Sequence, residues 1–314
     1  MFSIMAKQIS NTILMVRPTH FGYNQETASS NKFQKKQEKQ DAKDIKQKAC
    51  DEFDQMVSDL RSKGVQVLVF IDSEDILKPD AVFPNNWISM HEDGTLITYP
   101  MFAPIRRKER SESIIESLIK DFDVRKRLSL ELFESKDLFL EGTGSIIFDH
   151  EHKLAYACQS VRTSIEVLQK LCLIINYKPI LFNALDASGY PIYHTNVLMA
   201  LGIDFVVICM DAVEEGSRQR LEEQFKETGK EVIDISFKQM ESFAGNMLQV
   251  EMENHKPLLV MSKSAYDSLN VDQLKKINAK TEILSVAIPT IEQIGGGSAR
   301  CMMAEVFLPP KGTN

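Results

Sequence analysis

Hydrophobic positions along this 314-residue chain follow two alternating rhythms. In one, apolar residues return every three or four positions, as in Ile114, Ile115, Leu118 and Ile119, which predicts amphipathic helix. In the other, short runs rich in Val, Ile and Leu are bounded by turn formers such as "EDG" and "GID", which predicts strands and hairpins. Together they form one unit: a helix, a lone strand, then a pair of strands. The unit occurs five times. Helices are expected over residues 34–63, 110–121, 163–175, 213–228 and 265–278. Lone strands begin at 65, 128, 179, 231 and 282, a step of roughly fifty residues after the first. Hairpins begin near 83, 141, 193, 244 and 295. The early run "TILMVRP" stands outside this count and is expected to complete the last unit, closing a ring.

Five such units around an axis make one α/β domain over residues 1–314, a pseudo-fivefold, five-bladed propeller. Two nucleotide-binding halves are the other arrangement for this length, but no strand-to-helix turn carries the GxGxxG fingerprint. Charge argues against nucleic acid as a partner, with 37 Lys+Arg against 44 Asp+Glu and a formal net charge of −7. The lysine-rich stretch over 32–48 alternates with Gln, Glu and Asp and reads as a solvated helix face. Five widely spaced cysteines give neither a zinc pattern nor a disulfide framework. The N-terminal residues lack a signal-peptide core, and no apolar run approaches membrane-spanning length. A cytoplasmic protein with no membrane partner, metal or cofactor is expected, and its apolar helix faces leave room for a homodimer.

Chemistry gathers at one register. The first strands of the five hairpins align as "NNWIS", "TGSII", "TNVLM", "GNMLQ" and "RCMMA". At or just before each stands the unit's most reactive or polar residue: Asn85 and Asn86, Glu141, His194 with Asn196, Asn246, and Cys301. In a propeller these positions surround the axis, so a nucleophile, a proton shuttle and a carboxylate would meet there. Each has a plainer reading. Cys301 after three glycines could simply fit a tight bend, His194 could be a satisfied core histidine, Glu141 could cap a turn, and the asparagines could form turns.

The motifs "LEGTGS" around Glu141, "YHTN" around His194 and "GGGSARCMM" around Cys301 resemble those of the pentein, or guanidino-group-modifying, superfamily. That superfamily includes arginine deiminases, dimethylarginine hydrolases and amidinotransferases. The resemblance runs from Arg17 to Cys301 and implies the ββαβ propeller. It implies Cys301 as nucleophile on the central carbon of an amidine-like group. His194 would protonate the leaving nitrogen and then activate water, and Glu141 would orient His194 and stabilise its imidazolium. Arg162 in "SVRTS" resembles an arginine that holds a substrate carboxylate, a contact suited to a planar guanidinium; the other reading is a surface residue at a helix start.

Two departures bear on the substrate. Arginine deiminases end "FTRD" in aspartate, where "FPNN" places Asn86, and carry aspartate two residues after the histidine, where Asn196 stands here. An unpaired buried cation costs about 3–5 kcal/mol, whereas asparagine donates and accepts and suits a neutral ureido group. The expectation is a cysteine-dependent hydrolase converting citrulline to ornithine, carbon dioxide and ammonia, similar to the citrulline-utilisation hydrolases that share "FPNNW" and "HTNV". Asn85, Asn86, Asn196, Arg162 and Asn246 would bind substrate, with Asn85 and Asn86 both open as the residue facing it. The alternatives are an arginine deiminase or dimethylarginine hydrolase type of enzyme with Asp80 or Asp186 gripping the cation, an amidinotransferase, and a non-catalytic pentein. Residues 17–34 read either as a lid or as an ordered connection.

Overall fold

The computed structural model describes residues 7–28, 30–36 and 41–312. Among these, the strands form five three-stranded sheets. The first joins Ala304–Glu305, Thr12–Arg17 and Gln66–Ile71, and the second Ile88–Met90, Thr95–Thr98 and Lys126–Ser129. The third holds Ile147–Asp149, Leu154–Cys158 and Lys178–Phe182, and the fourth Met199–Leu201, Phe205–Ile208 and Glu231–Asp234. Leu248–Glu251, Pro257–Ser262 and Glu282–Val286 complete the set. In each sheet the middle strand pairs antiparallel with the short strand and parallel with the last one. A parallel partner requires a crossover. Ala42–Ser62, Glu112–Asp121, Ile165–Ile175 and Glu215–Glu227 supply four of these, and the pair Lys263–Ser268 and Val271–Asn278 the fifth.

The expected units are present, with one regrouping: each lone strand pairs back onto the hairpin before its helix. "TILMVRP" does join the two ends of the chain, with Leu14 opposite Ala304 and Thr12 opposite Gln66. Middle strands read as unbroken apolar runs because both faces are covered; Leu154–Cys158 is buried at every position. The last strands are sheet edges and are more exposed, most of all Lys126–Ser129. Apolar clusters fill the gaps between consecutive sheets, with Phe53 and Met56 between the fifth and first and Trp87 and Leu118 between the first and second.

Element boundaries differ from expectation where caps decide them. The first helix begins at Ala42 rather than 34, because Asp41 accepts from the Lys43 N–H at 3.0 Å. Gln34 instead accepts from Thr27 in an irregular segment. The last helix is two, since Asn270 and Gln273 form a capping box that restarts it. Among the elements that escaped the periodicity are the short helix Phe237–Glu241 and a π-helical turn at Ile291–Gly295. Among the described residues, no helix is long and apolar enough to cross a membrane.

Candidate active site

Before the first strand of four sheets the chain makes a single helical turn: Pro84–Asn86, Gly142–Ser145, Thr195–Leu198 and Ala299–Met302. Asn246 occupies the matching place before Leu248–Glu251. These turns touch in succession. The Thr143 hydroxyl donates to the Asn85 carbonyl at 3.3 Å, the Asn246 amide donates to the Asn196 carbonyl at 2.9 Å, and the Arg300 N–H donates to Asn246 Oδ1 at 3.1 Å. The approach is close enough to exclude side chains. A Cβ on Gly144 would stand 2.3 Å from Asn86 Nδ2, and one on Gly245 2.3 Å from the Val197 carbonyl.

Within this ring the residues of the shared register meet. Glu141 is fully buried, and its Oε2 lies 2.8 Å from His194 Nε2. Its other oxygen accepts from the Phe102 N–H at 2.9 Å. Burial alone would raise the Glu141 carboxyl, but the Arg162 guanidinium and the His194 hydrogen bond outweigh it and hold the group below the usual range. Burial lowers His194 to about 4 against the opposing pull of Glu141, so the imidazole is neutral at neutral pH. The thiol of Cys301 meets the amides rather than the imidazole: Asn196 Nδ2 donates to Sγ at 3.4 Å and Asn246 Nδ2 at 3.3 Å. His194 is buried, and its hydrogen-bond partner is a buried carboxylate. The other four cysteines are also unpaired and buried. Burial pushes Cys158 and Cys209 up to about 11 and Cys172 to about 12, far from reactive thiolates at neutral pH.

Arg162 is not a surface residue. It is 2 % exposed, lies 3.6 Å from Glu141, and stacks over the Tyr193 ring at 4.8 Å. Its guanidinium donates to the Thr27 carbonyl and the Ser30 hydroxyl, both on the segment that could have been lid or connection. Among its described residues, Asn24 donates to Asp80, and Asn31 donates to the Gly296 carbonyl at 3.2 Å.

Sequence reasoning missed Arg106, which lies hidden in the basic run "IRRKER". It is 3 % exposed and donates to both Glu109 oxygens at 2.8 Å. Its Nη1 also donates to Asn86 Oδ1 at 2.9 Å, and Asp80 lies 3.6 Å away. Asp186 stays outside, at a surface turn paired with Lys32. Asp80 Oδ1, Asn86 Nδ2, Asn196 Oδ1 and both side-chain polar atoms of Asn85 are buried without a protein partner. Such groups are costly unless something polar arrives to meet them. Among the described residues, no cluster of three or more His, Cys, Asp or Glu could hold a metal ion.

Residues 17–308 match the family described as N,N dimethylarginine dimethylhydrolase, eukaryotic. Among solved structures, the chain is similar to the N-terminal domain of ArgZ bound to product, an arginine dihydrolase from the ornithine-ammonia cycle in cyanobacteria. The TM-score is 0.72 at 16 % identity, over 96 % of this chain and 100 % of that domain. Unliganded AgrE gives 0.74 at 17 % identity over 96 % of this chain, which spans 40 % of AgrE. A dimethylarginine dimethylaminohydrolase adduct with S-methyl-L-thiocitrulline gives 0.63 at 16 % identity, over 94 % of this chain and 99 % of that one. No curated protein matches the sequence. These likenesses establish the mixed α/β fold of several small sheets.

Proposed function

Because this chain belongs to the N,N dimethylarginine dimethylhydrolase family, within the pentein superfamily of guanidino-modifying enzymes, we propose that it hydrolyses the terminal carbon–nitrogen bond of an arginine-type amino acid through a covalent thiol intermediate. The carrying observation is the His194–Glu141 pair standing in the same ring of turns as a thiol addressed by two amides. On this reading the five sheets are blades of one propeller domain, and the ring of turns is its axis.

Cys301 attacks the planar carbon as His194 takes up the thiol proton. Glu141 holds the imidazolium, and Asn196 and Asn246 steady the sulfur. Collapse expels the leaving amine with a proton from His194. Water, deprotonated by His194, then attacks the carbon and releases Cys301. From arginine this yields ammonia and citrulline; from a dimethylated guanidinium it yields dimethylamine and citrulline. Arg162 and Arg106 are the cations for a substrate carboxylate, and the free Asp80 oxygen suits a substrate cation. Family membership favours a guanidino substrate over the citrulline expected from sequence.

One observation favours the ureido group as a second reading. Arg106 donates to Asn86 Oδ1, which fixes that amide's orientation and leaves its Nδ2 unpartnered. A guanidinium offers only donors and cannot meet a donor, whereas a ureido carbonyl can. On that reading Cys301 takes a carbamoyl group from citrulline and releases ornithine; water then frees carbamate, which breaks down to carbon dioxide and ammonia. Incubation with arginine, dimethylarginine and citrulline separately, assaying citrulline, ornithine, ammonia and dimethylamine, tests both. Citrulline from a guanidino compound supports the first reading, ornithine from citrulline the second, and neither removes the hydrolase. Asn86→Asp keeps the acceptor for Arg106 and turns the free donor into an acceptor. It is expected to raise the guanidino-to-ureido ratio of kcat/KM by about tenfold or more; an unchanged ratio would show that Asn86 does not face the reacting group.

A neutral His194 sets a pH dependence. Protonation at low pH removes the base, so activity rises through about pH 4 and is already full near 6.5. Initial rates across this range check the assignment, and an acid limb centred between 6 and 7 would contradict it (about the ordinary histidine value).

A further inference from the structure

Glu292 is 6 % exposed and lies in the π-helical turn Ile291–Gly295, between the apolar Ile291 and Ile294. The reaction above has no use for it. Burial pushes its carboxyl up, and nearby serine hydroxyls oppose that rise. A hydrocarbon here would avoid the desolvation cost, so the two oxygens must serve something. Oε1 accepts from the Ser298 hydroxyl at 2.6 Å, and Oε2 accepts from the Ser264 hydroxyl. Ser298 precedes the turn that carries the nucleophile, and its carbonyl accepts from the Cys301 N–H at 2.9 Å. Between Glu292 and Ser298 run three glycines, which by themselves leave the turn free to swing.

We propose that Glu292 is a positioning residue for Cys301: its carboxylate clasps Ser264 of the fifth sheet's helix to Ser298, and so fixes the turn that presents the thiol. The anchor lies across the glycine loop from the sulfur and acts through Ser298. Glu52 completes the mounting from the first helix, where its carboxylate accepts from the N–H groups of Thr290 and Ile291 at 2.8 and 3.0 Å. The inference rests on Cys301 being the nucleophile. A thiol displaced by about 1 Å loses on the order of a hundredfold in rate.

The test compares Glu292→Gln, Glu292→Ala and Ser298→Ala with wild type and Cys301→Ser. For each, kcat and KM on the best substrate and the rate of Cys301 alkylation by a haloacetamidine are measured. Glu292→Ala is expected to lower kcat by about 10- to 100-fold with KM within about threefold, and to slow alkylation in parallel. Glu292→Gln, which keeps one acceptor, should recover part of both. Ser298→Ala loses a single hydroxyl and reports the same effect should Glu292→Ala fail to fold. If kcat and alkylation stay at wild-type values while only the melting temperature falls, Glu292 is merely structural and the proposal is overturned. If Cys301→Ser itself turns over substrate normally, the nucleophile assignment fails instead, a separate result.

Discussion

Cys301→Ser is expected to lower kcat/KM by about 10⁴-fold or more, with substrate still bound. The thiol stands where two amide N–H groups, from Asn196 and Asn246, point at sulfur from 3.4 and 3.3 Å. Those donors stabilise an anion, and a hydroxyl is far harder to ionise than a thiol. On the proposed function, binding rests on Arg106, Arg162, Asp80 and Asn86, none of which has a hydrogen bond to the Cys301 thiol. Isothermal titration with substrate should therefore give a dissociation constant within about tenfold of KM for wild type, and mass spectrometry should find no covalent adduct. Cys50→Ser is the control. Its thiol donates to the Pro18 carbonyl at 3.3 Å, a contact a hydroxyl can keep. A Cys301→Ser protein within tenfold of wild-type rate would end the covalent mechanism.

Gly142→Ala is expected to cost about 2–5 kcal/mol of stability, the sum of a left-handed backbone forced on alanine and a clash that cannot relax. Gly142 has φ +45°, and a Cβ there would lie 2.2 Å from the Asn85 carbonyl oxygen and 2.9 Å from that of Asn86. Both obstacles are backbone atoms of the neighbouring turn, so relief means moving Asn85, Asn86 and Glu141 together. Gly189→Ala separates the two contributions, because Gly189 has φ +80° with open space around it. That variant should lose only about 1–2 kcal/mol. Urea midpoints at constant slope compare them, and equal losses would show that the turns are less tightly apposed than the distances state.

The contacts that link Glu141 with His194, and Asn196 and Asn246 with Cys301, were legible because each residue stands just before the first strand of a repeated three-stranded sheet. Arg106 was not. Nothing in "IRRKER" separates the fully buried guanidinium of Arg106, paired with Glu109, from the partly buried ones of Arg107 and Arg110, paired with Glu134. Helix starts were blurred for a similar reason, since lysine-rich sequence continues the periodicity past the true cap at Asp41. The glycines before Cys301, read from sequence as fitting a tight bend, do lie in a crowded one. Gly295 and Gly297 each face the Phe83 ring, where a Cβ would lie 2.8 Å from a ring carbon, so they mark crowding at this bend. Substrate choice stayed open because two asparagines do not say which of their amide atoms faces inward. The Arg106 contact orients the Asn86 amide, and the Cys301 contact orients that of Asn196.

The pairing of Ala304–Glu305 with Thr12–Arg17 also orders events in time. Of the register residues the ribosome delivers Asn85 and Asn86 first, then Glu141, then His194 and Asn196, then Asn246, and Cys301 last, three residues before the strand that pairs with Thr12–Arg17. On the proposed mechanism, a growing chain therefore carries its proton shuttle and its amide donors before its nucleophilic thiol. That thiol arrives together with the strand that completes the first sheet, so on this mechanism synthesis supplies the nucleophile last.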